Sequence, residues 1–242
     1  IRFKKIAKKS TLIGSILNNY NNEKLEKKYK NSFLFISQFR ENKNNFFLTN
    51  TGKIFSYKHF MKADKFGFET FLNYCEKKKK KMYVLFASRK KSKIKKEIEF
   101  YRYKKTNNLK FLKSTNQHFG YKVTQQFEKI FFVNSTLGFE CLARNKRCFF
   151  LNTRNKFLGF NYTDLPLPKN GPNWTDSSNE SIILKKIDKF MKIKNKLYTK
   201  KYNKYFSNII SYDRNNNNLI KSLKYIFDEV EVKNEKVNLY FK

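Results

Sequence analysis

The run Lys129–Leu151, KIFFVNSTLGFECLARNKRCFFL, constrains the fold more than any other part of the chain. Two blocks, Ile130-Phe131-Phe132-Val133 and Cys148-Phe149-Phe150-Leu151, are apolar at successive positions. Such strands must be covered on both faces, which is the situation of a parallel sheet between helix layers. Between them lie a polar turn, Asn134-Ser135-Thr136, and a short helical pattern that carries Glu140. The first turn of a helix has unpaired N–H groups and the positive end of the helix dipole. The hydroxyls of Ser135 and Thr136, with the N–H groups of Leu137 and Gly138, therefore suit a phosphate, and Glu140 one turn further in suits a ribose. The same residues also fit a plainer role, with Ser135 and Thr136 as a helix cap and Glu140 as a surface acid.

Upstream, the pattern alternates between strand and helix. Residues 33–39 read as a strand, followed by a long polar connection from Arg40 to Lys62. Phe68, Phe71, Leu72 and Cys75 recur at helical spacing, and the lysines 77–81 close that helix. Met82–Ala87 reads as a second strand, Ser92–Tyr103 as a helix, and Phe119–Val123 as a third, weaker strand. Strands alternating with helices predict an α/β fold, a Rossmann-like parallel sheet with right-handed crossovers. Residues 152–178 hold all three prolines, Pro166, Pro168 and Pro172, with Gly159 and Gly171, and read as a long irregular loop. Ile183, Leu184, Ile187, Phe190 and Met191 predict an amphipathic helix capped by Ser177 or Ser178. Helices through 198–210 and 219–230 follow, with Asn215–Asn218 as a turn.

The formal net charge is +35, which raises nucleic-acid binding as a rival reading. Of the 54 basic residues, eight are Arg and 46 are Lys. A surface dedicated to reading nucleic acid favours Arg, whose planar fork pairs with phosphates and base edges, so the Lys excess argues against a specific nucleic-acid partner. Lysines do suit a loose contact with an anionic membrane surface. The three cysteines, Cys75, Cys141 and Cys148, sit in apolar runs without metal-ligand spacing and read as small buried side chains, so neither a metal nor another cofactor is expected. His59 and His118 stand in unpatterned contexts. No apolar run approaches the length of a membrane span.

Ser135–Arg144, followed by Phe149-Phe150, resembles the "STLGYEALARG…FF" signature of bacterial surface-carbohydrate biosynthesis proteins of capsule and lipopolysaccharide pathways, GT-B-fold glycosyltransferase-like enzymes. Gly171-Pro172-Asn173-Trp174-Thr175 resembles their "GPFWT" segment, with Asn173 in place of Phe and, upstream, Cys141 in place of Ala. Phe33–Glu41 resembles the strand that opens the nucleotide-binding half, and Ala87-Ser88-Arg89 with Glu97, Glu99 and Tyr101 resembles an "R…E…YY" block. The resemblance implies the C-terminal nucleotide-binding domain of a GT-B fold, with strand order 3-2-1-4-5 and a ligand crevice between the 33–39 and 129–134 strands. It further implies that Ser37, Ser135, Thr136, Leu137, Gly138 and Glu140 hold a nucleotide, with Arg40 or Arg89 offsetting the leaving-group charge. The expected activity is nucleotide-sugar-dependent transfer in surface-polysaccharide assembly, on a nucleotide-activated sugar donor and a glycan or lipid-linked acceptor, at a cytoplasmic or membrane-peripheral location. A nucleotide-sugar epimerase or polyol-phosphate transferase of the same fold is the alternative, and a basic nucleic-acid or ribosome-associated protein stands behind both. Thr11–Ser15 resembles the last strand and turn of the N-terminal half. The expected organisation is thus a remnant of that domain at 1–31, a nucleotide-binding domain at 32–235 and a tail at 236–242, with the general base in the missing half.

Overall fold

The computed structural model describes residues 14–20, 29–41, 46–48, 52–101, 106–112, 118–162, 167–194, 197–198, 205–206 and 210–229. The expected tail at 236–242 and most of the helix expected at 198–210 lie outside them. The chain divides into two compact units, residues 1–22 with 211–242, and residues 23–210.

The first unit holds helix α1 (Ile16–Tyr20), a 3-10 turn (Arg214–Asn216) and a helix that follows it directly at Asn217–Glu229. Asparagine amides join its two chain segments: Asn19 Nδ2 donates to Asn216 Oδ1 at 2.9 Å, and Asn19 Oδ1 accepts from the Asp213 N–H at 2.9 Å. Of the turn expected at 215–218, Asn215 and Asn216 take part, both in the left-handed region that Asn tolerates better than most residues, while Asn217 and Asn218 already belong to the helix.

The second unit runs in chain order through β1 (Tyr29–Ile36), a hairpin of β2 (Phe46–Leu48) and β3 (Ile54–Ser56), α2 (Tyr57–Lys77), β4 (Lys81–Leu85), α3 (Lys91–Tyr101), β5 (Leu109–Leu112), α4 (Phe119–Gln126), β6 (Phe127–Phe132), α5 (Thr136–Ala143), β7 (Arg147–Leu151), α6 (Arg154–Leu158), β8 (Trp174–Thr175) and α7 (Glu180–Met191). Six strands form one sheet in the order β5-β4-β1-β6-β7-β8, every pair parallel. With the hairpin set aside, this is the doubly wound order 3-2-1-4-5-6, one strand longer than expected. The fold is a Rossmann-like α/β layer structure.

Aromatic rings hold the layers together. On one face Phe33 stacks on Phe131 at 4.8 Å, and Phe71 of α2 stacks on Phe131 at 4.3 Å. On the other, Phe132 stacks on Phe150 at 5.1 Å and Phe150 on Trp174 at 6.0 Å, with Phe139 of α5 against both phenylalanines. Successive residues of β6 and β7 thus serve opposite faces, which accounts for their unbroken apolar sequence. Ser56 caps α2 by accepting from the His59 N–H, and Asn179, rather than Ser177 or Ser178, caps α7 by accepting from the Ile182 N–H.

The structure corrects several expected elements. Residues 119–123, expected as a strand, begin α4. Parallel strands β5 and β6 require a crossover, and both edges of β1 are already occupied by β4 and β6. The third strand is instead β5, an edge strand whose residues are only half buried, so its apolar signal is weak. The connection 40–62 contains the hairpin and the start of α2, and the loop 152–178 contains α6 and β8. Gly159, with φ at 76°, closes α6 in a conformation that only glycine adopts cheaply.

Candidate functional site

A cleft of about 240 Å³ opens at the carboxyl ends of β1, β4 and β6. Ile36 and Ser37 follow from β1, Leu85, Phe86, Ala87 and Arg89 from β4, and Ser135 and Leu137 from the β6–α5 turn, with Gly120 and Tyr121 of α4 completing the wall. The sheet order reverses between β1 and β6, since the chain winds outward from β1 through β4 to β5 and then crosses back to β6, and in doubly wound sheets ligands bind at that reversal.

The β6–α5 turn is built by local chemistry. Ser135 caps α5, its Oγ accepting from the Gly138 N–H at 3.3 Å, and it is only 5% exposed. A Cβ at Gly138 would lie 2.5 Å from the Phe132 ring, so glycine lets α5 lie directly on its own strand. Thr136 is exposed at the first helical position. With the Gly138 and Phe139 N–H groups spent on Ser135, those of Thr136 and Leu137 are the donors the helix itself leaves unused.

The β1 and β4 loops are tied together by Glu97. This carboxylate is fully buried and accepts from the Ser37 hydroxyl, from the Ala87 N–H at 3.0 Å and from the Ser88 N–H at 3.3 Å. Ser37 Oγ also accepts from the Phe39 N–H at 3.0 Å and lies 3.1 Å from the Tyr101 hydroxyl. Burial pushes the Glu97 carboxyl above its ordinary range, opposed by the Ser37 hydroxyl and the two N–H groups. Arg89 makes no ion pair with Glu97 or Glu99; it is exposed and lines the cleft.

Four of the eight sequence-derived residues, Ser37, Arg89, Ser135 and Leu137, therefore meet at the cleft. Of these, Ser37 has its hydroxyl engaged by Glu97. The other four do not line it. Arg40 is exposed beyond β1 and near enough to Asp64 to pull its carboxyl down, Thr136 is exposed, Gly138 is packed beneath Phe132, and Glu140 is buried in α5. Sequence reasoning missed Glu97 as the link between loops, although Ile94, Glu97, Ile98 and Tyr101 follow the spacing of a buried helix stripe. It also missed a buried ion pair behind the same edge. Arg154 Nη2 lies 2.7 Å from Asp64 Oδ2, each side chain 1% exposed, and the guanidinium also donates to the Phe60 carbonyl and to Gln38 Oε1. Burial pushes the Asp64 carboxyl up, and Arg154 opposes it.

Among the described residues no group of three or more His, Cys, Asp or Glu could hold a metal ion, and no helix is long and apolar enough to cross a membrane. Fold and cleft together define a Rossmann-order α/β protein with an anion-compatible crevice at its topological switch. The chain belongs to the family described as "putative O-antigen biosynthesis protein", whose model matches residues 2–226, in agreement with the resemblance to surface-carbohydrate biosynthesis proteins read from the sequence. No curated protein sequence matches it. Solved structures similar to it include two described as UDP-GlcNAc 2-epimerases. One is the UDP-GlcNAc 2-epimerase of Methanocaldococcus jannaschii in complex with UDP-GlcNAc and UDP, 13% identical, with a TM-score of 0.48 over 89% of this chain and 54% of that one. The other is a "putative UDP-N-acetylglucosamine 2-epimerase" from Listeria monocytogenes, 9% identical, with a TM-score of 0.48 over 83% of this chain and 46% of that one. The chain spans about half the length of the structures it matches.

Proposed function

We propose that the chain is the nucleotide-binding half of a GT-B-fold, nucleotide-sugar-dependent transferase that acts in O-antigen assembly on the cytoplasmic side of the membrane. One observation carries the reading: Arg89, Ser135 and the first turn of α5, drawn from distant parts of the sequence, converge on one cleft at the switch point. The Thr136 and Leu137 N–H groups meet a donor phosphate at the positive end of α5, and the Arg89 guanidinium faces it from the β4 loop. In glycosyl transfer the bond between the anomeric carbon and the phosphate oxygen breaks as the acceptor hydroxyl bonds to that carbon. Negative charge collects on the departing nucleotide, and fixed N–H donors and a guanidinium lower the barrier by stabilising it. Glu97 keeps the Ser37 and Ala87–Ser88 loops at the spacing that shapes the cleft.

Calorimetric titration with UDP, GDP, CDP, ADP and CMP tests the reading. Saturable binding of at least one nucleotide, weakened about tenfold or more by Arg89→Ala, is expected because a charge-assisted phosphate contact is lost. Binding of none, or binding indifferent to Arg89→Ala, overturns it.

A further inference from the structure

The β2–β3 hairpin is apolar on both faces. Phe47 and Phe55 pair across it and turn inward onto Phe60, with Phe160 and Tyr162 packed around Phe55. On the opposite face Leu48 and Ile54 also pair across the strands, and each is 70% exposed, with Phe46 beside them at 60%. A ribbon with one buried face ordinarily turns polar side chains to water, so a cross-strand pair of large aliphatics held in solvent marks a contact surface.

Its position and charge say what kind. The hairpin is inserted between the end of β1 and the start of α2, and so stands at the carboxyl edge of the sheet, the edge that carries the cleft. Arg40, Lys53, Lys58, Lys62 and Lys65 are all exposed around it in the chain. The two acids of residues 29–65, Glu41 and Asp64, are both spent in ion pairs, with Lys96 and Arg154. Along this stretch of chain, every charge beyond those two ion pairs is therefore positive or titrates to positive. A second copy docking through the same face would bring like charges together, whereas a surface with an apolar interior and an anionic skin satisfies both features.

We propose that this hairpin docks the protein on an anionic lipid bilayer. Leu48 and Ile54 enter the boundary between headgroups and acyl chains, and the neighbouring lysines meet the headgroups. The docking goes beyond the nucleotide reading and stands without it. If both hold, membrane contact and nucleotide binding take place at the same carboxyl edge of the sheet.

The test is partitioning of the full chain onto phosphatidylcholine vesicles and onto phosphatidylcholine–phosphatidylglycerol vesicles, for wild type and for Leu48→Thr with Ile54→Thr, which puts strand-favouring β-branched residues at both exposed positions. The wild type should prefer the anionic vesicles, and the double variant should lose about tenfold or more of that partitioning with unchanged unfolding and nucleotide titrations. A separate Leu48→Trp variant should shift its emission to the blue and be quenched by brominated lipid. Equal partitioning of wild type and double variant overturns the proposal, since the chain's general positive charge would then explain the binding. So does an indole emission from the Leu48→Trp variant that vesicles leave unchanged, self-association through this face in light scattering, or retention by an acidic protein without vesicle binding. Loss of nucleotide binding alone would sink the transferase reading and leave this one standing.

Discussion

Gly138→Ala separates two opposed effects at the base of the cleft. In a helix free of neighbours the substitution should stabilise by about 1 kcal/mol, because alanine loses less backbone freedom than glycine. Here the new Cβ would stand 2.5–2.7 Å from three carbons of the Phe132 ring. Carbon contacts settle at about 3.5–4.0 Å, so a shortfall of about 1 Å must be made up by movement. The ring cannot swing aside: Phe132 is fully buried, stacked on Phe150 at 5.1 Å and edge-on to Phe139 at 5.2 Å. Overpacking of this kind costs about 1–3 kcal/mol, and for a ring boxed in on two sides the upper part of that range applies. The expected net effect is a loss of about 1–2 kcal/mol, with α5 displaced outward and nucleotide affinity reduced through Leu137 and the first-turn donors. Urea unfolding of Gly138→Ala, with Phe132→Leu alone and combined, measures it. The double variant should recover part of the loss, because leucine vacates the space of the ring carbons. A Gly138→Ala protein more stable than wild type would refute the close-approach argument.

Three further outcomes follow from the same geometry. Ser135→Ala should cost about 1 kcal/mol through the lost cap and weaken nucleotide binding in calorimetry, while exposed Thr136→Ala, which keeps the first-turn N–H, should stay within about 0.5 kcal/mol and bind as wild type; unchanged affinity of Ser135→Ala would reduce that residue to a cap. Asp64→Asn strands a buried guanidinium and should cost about 3–5 kcal/mol in urea unfolding, with Asp64→Leu plus Arg154→Met much milder. Glu97 has its carboxyl raised by burial, so its contribution to stability is complete below its ordinary value of 4.5 and is lost as pH climbs through the higher folded value. The stability of wild type relative to non-titrating Glu97→Gln should therefore fall from acid toward neutral pH, and a gap that widens instead would mean that the hydrogen bonds outweigh burial.

What could be read from the sequence followed how strongly each residue is constrained by its immediate neighbours. β6, α5 and β7 were legible because both strands are covered on both faces and the helix between them begins with its own cap. β5 was not, since an edge strand half open to water needs little apolar sequence, and the Phe119–Val123 alternation imitated the strand that β5 supplies. The hairpin hid in a polar connection because its three-residue strands are too short for periodicity to show. At the cleft, Arg89 and Ser135 were accessible through local motifs and the family resemblance. Glu97 was visible as an acid on an apolar helix stripe, but its partners, Ser37 and the loop after β4, come from tertiary pairing. Arg154 shows the limit: nothing around it in sequence announces that Asp64 and Gln38 will converge on it.

The central place of β1 has a consequence for how the protein is made. Phe33, Leu34, Phe35 and Ile36 are synthesised well before one of their two sheet partners, Lys129–Phe132, which leaves the ribosome only after β4, α3, β5 and α4. Until then this apolar strand has an open edge, and long-range parallel pairing is slow to close. A ribosome stalled before residue 132 should carry a nascent chain that engages chaperones and cannot bind nucleotide, because the switch-point crevice exists only once β6 has docked.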